Sequence, residues 1–354
     1  MTLMTEPTRF TIIGENIHTT RVLLRKGRHV VAEGDHEWLV FTDAVGGERR
    51  LAVPDWHRET DEHAAGRLKH VAIAIRTAMA DGPAADDAAA YLRTLAHRQV
   101  AAGAAYLDLN VDELSPRLQE QKAAMRWLVH LIGGSTALPL AIDSSHAEII
   151  AEGLAACAPS SRPMLNSASL ERRSALDLAV AAGGPVVVTA AGESGMPQDV
   201  EGRVANATAM VEAALAAGIA IGDIYVDPLI FPISVDGAFG GHALDAIRAL
   251  RGRYGPEIHI TGGMSNVSFG IPGRKLINEA FLRMALDAGA DSGIIDPVST
   301  DIDHVRAVDV DSGAHAMARD AILGVDVNCR AFLRAYRAGE FAEHGVVPPA
   351  RRVA

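Results

Sequence analysis

The sequence predicts an α/β protein, a (β/α)8 TIM barrel with a β-rich insert after the first strand, and three observations predict it. Short apolar, β-rich runs recur eight times, amphipathic Ala-rich stretches separate them, and nearly every run ends on a carboxylate or carboxamide. Continuous apolar strands alternating with helices belong to a parallel sheet buried on both faces. Eight such units favour closure into a barrel over an open doubly wound sheet, which stays as the structural alternative.

The runs are, in order, Phe10–Gly14, Ala105–Leu109, Leu138–Ile142, Met164–Leu165, Pro185–Val188, Ile224–Val226, Ile258–Ile260 and Gly293–Ile295. The segments with helical character are Asp86–Ala102, Arg117–Ile132, His146–Ala156, Val200–Ala217, His242–Arg253 and Arg274–Ala288. Residues 1–354 are expected to form a single barrel domain. One interval breaks the rhythm: about ninety residues separate the first two strands, where a barrel of this length normally uses about thirty. Within it, residues 20–56 read as an inserted β-hairpin-like or three-stranded subdomain, because Arg28–Pro54 alternates apolar and polar residues around Glu33-Gly34-Asp35 and Gly46-Gly47. The stretch His57–Met79 reads as helical, with Asp81-Gly82-Pro83 as punctuation after it. Such an insert stands above the first strand, on the catalytic face of a barrel, as a lid, a docking element or plain decoration. The tail from Glu340 onward reads as frayed or loosely docked.

Bulk properties narrow the function. The chain has 354 residues, 49% of them hydrophobic and 22% charged, so it is long enough and apolar enough to bury a large core. No apolar run approaches the roughly 20 residues that span a bilayer, and residues 1–10 lack the pattern of a signal peptide, so a cytoplasmic protein with no membrane partner is expected. A net charge of −11 argues against nucleic acid as a partner, since that needs clustered Lys and Arg. Cys157 and Cys329, far apart, make neither a disulfide framework nor a zinc set, and His57, His63 and His70 lack the spacing of a helical metal pair. No metal site is expected, and these histidines read as surface residues.

The strand ends of a barrel build its active site. Here they carry Glu15 and Asn16, Asp108 and Asn110, Asp143, Asn166, Thr189, Asp227, Asn266 and Asp296. Lysine and histidine are almost absent from this set, which disfavours a Schiff-base aldolase and an imidazole-rich metallohydrolase. A flat heterocycle with adjacent N–H donors and ring acceptors suits it. A pterin presents its 2-amino group and N3–H side by side to one carboxylate, and its N1 and O4 take donors from carboxamides. Guanine-like rings offer the same edge, so this chemistry leaves both open. Simple roles compete at each position: Asp143 before Ser144-Ser145 as a helix cap, Asp227-Pro228 as a strand stop, Asp108 and Asn110 as turn formers. Gly262-Gly263 reads as backbone clearance for a ligand.

Six motifs in order carry a resemblance: Ile12-Ile13-Gly14-Glu15-Asn16-Ile17, Ala105-Tyr106-Leu107-Asp108-Leu109-Asn110-Val111, Ile142-Asp143-Ser144-Ser145, Leu165-Asn166-Ser167, Tyr225-Val226-Asp227-Pro228-Leu229-Ile230, and Gly263-Met264-Ser265-Asn266-Val267-Ser268-Phe269-Gly270 running on through Arg274-Lys275-Leu276-Ile277-Asn278. Together they resemble the methyltetrahydrofolate:corrinoid protein methyltransferases and the folate module of cobalamin-dependent methionine synthase. The resemblance implies a pterin-binding barrel and transfer of a methyl group between N5 of tetrahydrofolate and a corrinoid. It implies that Asp227 accepts from the pterin 2-amino and N3 groups, that Asn166 and Asp143 bind the rest of the ring edge, and that Asn266 is catalytic through a hydrogen bond at N5. Asp108 and Asn110 then shape the pocket floor, Glu15 lies beside it, and Arg274 and Lys275 are candidate contacts of the folate tail. One departure is visible: the family's Gly-Glu-Arg-Ile-Asn is here Gly14-Glu15-Asn16-Ile17-His18, without the arginine.

The substrate is then tetrahydrofolate or its 5-methyl form, and the cobalamin is expected on a separate corrinoid protein, this chain having no corrinoid-binding Asp-x-His-x-x-Gly motif of its own. A homodimer is expected from the family alone. Two rivals remain: a dihydropteroate synthase-like condensing enzyme, whose glycine-rich segment is here Leu229-Ile230-Phe231-Pro232, and a non-catalytic pterin-binding partner of a corrinoid protein.

Overall fold

A computed structural model describes residues 10–348. All eight apolar runs are parallel strands of one sheet. In chain order they are β1 (Thr11–His18), β2 (Tyr106–Asn110), β3 (Leu140–Asp143), β4 (Met164–Ala168), β5 (Val186–Thr189), β6 (Ile224–Asp227), β7 (His259–Ile260) and β8 (Ser292–Ile295). From β1 to β7 each pairs with its sequence neighbours, and β8 pairs with β1 through Thr11–Ser292 to Gly14–Ile295. Between β7 and β8 the ring closes on a single bridge, Gly263 to Ile294, with the Ile294 N–H donating to Gly262 O at 2.9 Å. The sheet is therefore a barrel.

The strand period of two sorts the side chains. Outward residues pack on the surrounding helices in the main apolar core, while Ile13, Ala141, Met164, Val187 and Tyr225, joined by Tyr106 and Ile294, form a separate cluster inside the barrel. His259 stacks on Tyr225 with ring centroids 4.4 Å apart and completes this layer. The helices fall at the expected places, including Ala85–Ala101, Leu118–Gly133, Ala147–Ala156, Val200–Ala216, Phe239–Tyr254 and Arg274–Ala288. The sequence did not announce Ala175–Ala182, or the final helices Ile302–Ala307, Gly313–Ile322 and Arg330–Ala338. The first is only two turns long, too short for its apolar period to show.

The insert is a three-stranded antiparallel sheet, Val30–Glu33, His36–Thr42 and Glu48–Ala52. It is anchored to the helix Ala85–Ala101 by Arg49, which reaches Asp86 at 2.7 Å and Asp87 at 3.0 Å, and by Phe41 packing edge-on against Tyr91. Residues 57–79 are not one helix. Two single turns, Asp55–Arg58 and Asp61–Ala64, precede a short strand, Arg67–Leu68, and only His70–Met79 is a regular helix. Gly66, at φ +80°, ends the second turn where a continuing helix would need a negative φ.

The histidines of this region are buried rather than on the surface. His57 Nε2 lies 3.4 Å from Arg67 O, His63 Nε2 lies 2.5 Å from Glu37 Oε2, and His70 Nδ1 shares a 2.9 Å hydrogen bond with the Tyr91 hydroxyl. Each has a polar partner, which is the condition under which imidazole is tolerated in a core. The tail also docks further than expected. Phe341 packs on Phe332 at 4.9 Å and Val346 is buried, although residues 349–354 lie outside the described part. No helix among the described residues is long and apolar enough to cross a membrane.

Candidate active site

Two residues beyond the interior apolar layer, every strand again points inward. Those positions are Glu15, Asp108, Asp143, Asn166, Thr189, Asp227, Thr261 and Asp296. The polar crown read from the sequence is thus the next layer of the barrel interior, at the C-terminal ends of the strands.

Hydrogen bonds tie much of this crown together. Asn166 donates from Nδ2 to Asp108 Oδ1 at 3.2 Å, and Asn110 donates from Nδ2 to Asp143 Oδ2 at 2.8 Å. His18 Nε2 is 3.3 Å from the same Asp143 oxygen. Asp143 does not cap the following helix, which begins after His146 without a side-chain cap. Asp112 takes the local role instead, accepting from Ser144 Oγ at 2.5 Å and from the Ser145 N–H at 2.8 Å. Asp227 both stops its strand and faces the barrel: Oδ1 accepts the Leu229 N–H at 2.7 Å, and Oδ2 has no partner among the described residues.

The surroundings shift these acids in different directions. Burial raises the Asp108 carboxyl well above its ordinary value, with the Asp143 charge adding to it and the Asn166 hydrogen bond opposing. Burial pushes Asp227 up to about 6, against the Leu229 hydrogen bond and the Arg203 charge. Glu15 is also raised by burial, offset by Arg21 and His18. Burial acts on Asp296 in the same sense, but the Asn16 hydrogen bond and the Arg21 charge outweigh it and hold that carboxyl low.

Arg21, which sequence reading missed, reaches Glu15 at 3.3 Å, Asn16 Oδ1 at 2.8 Å and Asp296 Oδ2 at 2.9 Å. A guanidinium thus stands beside Glu15 although the strand motif lacks its arginine. It arrives from six residues later in the chain, and no spacing rule marks it. Arg203 was missed as well. Its side chain is fully buried, stacks over Phe231 at 4.5 Å, and donates from Nη1 to Pro228 O at 2.8 Å and also to Leu229 O.

Asn266 lies on the short 3-10 helix Met264–Ser268 after β7, half-buried, and its carboxamide makes no hydrogen bond to any described residue. It lines a cleft of about 920 Å³ together with Glu15, Asn16 and Arg21. Asp108, Asn110, Asp143, Asn166 and Asp227 do not line this cleft; they lie in the barrel mouth. The glycines before Asn266 clear space for the site's own side chains. A Cβ on Gly263 would stand 2.7 Å from Asn266 Nδ2, and one on Gly262 would meet Asp227. Arg274 donates to Ser268 Oγ and to Ser265 O, both at 2.9 Å, and stacks over Phe269 at 4.4 Å. Lys275 donates to His344 O at 3.0 Å and lines a smaller side pocket of about 370 Å³.

One string does match the corrinoid-binding spacing, contrary to the sequence expectation: Asp61-Glu62-His63-Ala64-Ala65-Gly66. It lies in the region between insert and barrel, and His63 is buried with Nε2 committed to Glu37, so the imidazole is not presented to a cobalt. Among the described residues no group of three or more His, Cys, Asp or Glu side chains is arranged to hold a metal ion.

Comparison with known proteins bears on this geometry. The model of the pterin binding enzyme family matches residues 79–296. A methylcorrinoid:tetrahydrofolate methyltransferase of Eubacterium limosum is 31% identical over 258 residues, 71% of this chain and 89% of that protein. The methionine synthase of Mycobacterium tuberculosis (strain ATCC 25618 / H37Rv) is 29% identical over 214 residues, 57% of this chain but 18% of that longer protein. Among solved structures, a dihydropteroate synthetase with its product superposes with a TM-score of 0.51 at 20% identity, covering 64% of this chain and 88% of that one. The Xanthomonas albilineans dihydropteroate synthase with 4-aminobenzoic acid gives 0.50 at 19%, covering 64% and 87%. At such identity these two bear on the fold alone. Barrel and comparisons together define a pterin-binding enzyme. The chain belongs to that family and, within it, to the methyltetrahydrofolate:corrinoid protein methyltransferases.

Proposed function

We propose that this enzyme moves a methyl group between N5 of tetrahydrofolate and a corrinoid carried by a separate protein, with Asn266 assisting at N5. The observation that carries this is an unpartnered carboxamide at Asn266 and an inward carboxylate at Asp227, each packed against one of the adjacent glycines Gly263 and Gly262.

Asp227 offers Oδ2 to the 2-amino and N3–H donors of the ring, and Asn166 and Asp143 take the remaining edge. Asp108, its carboxyl raised by burial, and Asn110 hold these two side chains in place through their hydrogen bonds. Buried polar groups of this kind discriminate sharply, because a wrong ring leaves them unpaired. Glu15, fixed by Arg21, borders the same space. Arg274, stacked on Phe269, and Lys275 stand near the rim as candidate contacts for the folate tail.

As the methyl–N5 bond breaks, its electron pair stays on N5, and an anionic amine is a poor leaving group. Positive character at N5, by protonation or hydrogen bonding, removes that obstacle. A carboxamide can accept from protonated N5 and rotate to donate once the proton has gone, so Asn266 serves both states and both directions. The reduced corrinoid supplies the nucleophile. A cytoplasmic homodimer meeting a corrinoid protein completes the proposal.

Methyl transfer from 5-methyltetrahydrofolate to free cob(I)alamin tests it directly. Turnover by the purified chain supports the reading. Folate binding without transfer to any reduced corrinoid would leave only a pterin-binding partner, and condensation with p-aminobenzoate would point to the synthase chemistry.

A further inference from the structure

The cleft that Asn266 lines extends beyond the barrel. One side is built by Asn266, Phe269 and Arg274; the other comes from the insert and the helix beneath it, through Arg28, His29, Phe41, Tyr91 and Arg98. Its volume of about 920 Å³ is at the upper end of small-molecule sites, roughly 300–1,000 Å³, and exceeds what a pterin ring needs.

The insert side of the cleft is basic in a chain that carries a net −11. The Arg28 side chain bonds only to His29, at 3.1 Å, and the Arg98 side chain has no hydrogen-bond or ion-pair partner among the described residues. The two guanidinium groups lie near enough to His29 that, after burial, both hold its titration below the ordinary value and favour the neutral ring. Like charges gathered without a counter-ion repel one another, and a bound anion relieves that repulsion. Phe41 and Tyr91, both buried and packed edge-on against each other, line the inner wall of the same cleft.

Folate chemistry says what leaves the ring here. The p-aminobenzoyl-glutamate chain is attached at C6, the atom next to N5, so a residue that reaches N5 also marks where the tail exits. The tail is an aromatic ring followed by carboxylates, one more for each γ-linked glutamate. From this match we infer that the cleft between insert and barrel is a subsite for the oligoglutamate tail of the folate, with the aryl group toward Phe41 and Tyr91 and the carboxylates of the added γ-linked glutamates, beyond the first, on Arg28 and Arg98. The inference rests on the folate reading proposed above.

Titration of the full-length protein with 5-methyltetrahydrofolate as mono- and triglutamate separates the two ideas. The wild type is expected to bind the triglutamate about tenfold more tightly at low ionic strength, with the advantage shrinking as salt screens it. An Arg28→Gln/Arg98→Gln variant, altered only at exposed side chains, should lose that advantage and keep monoglutamate affinity within about threefold. Arg98→Glu should make the longer tail bind more weakly than the shorter. Equal affinity for both lengths in the wild type, or an advantage that survives in the double variant, overturns the subsite while leaving the methyltransferase reading intact. Failure of even the monoglutamate to bind overturns that reading and the subsite with it.

Discussion

Gly262 and Asp227 are fitted so closely that a Cβ at residue 262 would stand 2.9 Å from Asp227 Oδ1 and 2.7 Å from Ile230 Cδ1. The backbone there, at φ +154°, is one that side chains rarely adopt. Gly262→Ala is therefore expected to fold with a loss of roughly 1–3 kcal/mol and to push Asp227 out of place. Thermal unfolding measures the first effect. Calorimetry should show folate affinity falling by about tenfold or more, at about 1.4 kcal/mol per decade; unchanged affinity would mean that Asp227 does not hold the ring.

Asn266 is the sharper test of mechanism. Its carboxamide bonds to nothing else in the described chain, so removing it should cost little stability. Asn266→Ala is expected to keep folate binding within about tenfold while lowering methyl transfer by about 10²-fold or more, as for loss of general-acid-type assistance. Equal single-turnover rates in variant and wild type would remove Asn266 from the chemistry.

Asp227 predicts a pH dependence. Burial pushes its carboxyl up to about 6, and in the proposed pose the ring edge takes the ionised form. Folate affinity should be level above about pH 7 and fall about tenfold per unit below about pH 6. For folding the sign is opposite. A raised acid favours the folded state below its unfolded value near 4, and that contribution is lost as pH rises through 6. Asp227→Asn lacks this charge and is expected to be more stable than wild type at pH 8, by roughly 1–3 kcal/mol after allowance for partial exposure, with no difference below pH 4. Its folate binding should weaken by about 2 kcal/mol or more at neutral pH. Denaturant titrations and calorimetry at several pH values check both signs.

Arg203 supports the same acid from behind. Fully buried, it holds the carbonyls of Pro228 and Leu229, and Leu229 has a positive φ of 67° that costs a non-glycine residue energy. Arg203→Met keeps the packing on Phe231 but strands those carbonyls, so roughly 1–3 kcal/mol should be lost in urea unfolding. Loss of its charge should also move the pH midpoint of folate binding upward, since Arg203 lowers the Asp227 value. A midpoint that stays where it was would show that Arg203 acts on stability alone.

Local information in the chain determined the barrel, because the alternation of apolar runs and amphipathic helices is written in neighbouring residues. It also placed the inward acids and amides, since the strand period of two carries any residue two steps beyond Ile13, Tyr106, Met164 or Tyr225 into the mouth. The three-stranded insert was legible for the same reason, from alternation around its two glycine turns. Other features depend on contacts between distant segments and on the space left after packing, which no spacing encodes. Arg21 meets Asp296 across 275 positions, Arg203 meets Pro228 across 25, and His63, in a helical turn, is tied to Glu37 on a strand of the insert. A cleft shared by Asn266 and Arg98 arises only when the insert is folded down on the barrel, so tertiary structure alone decided it.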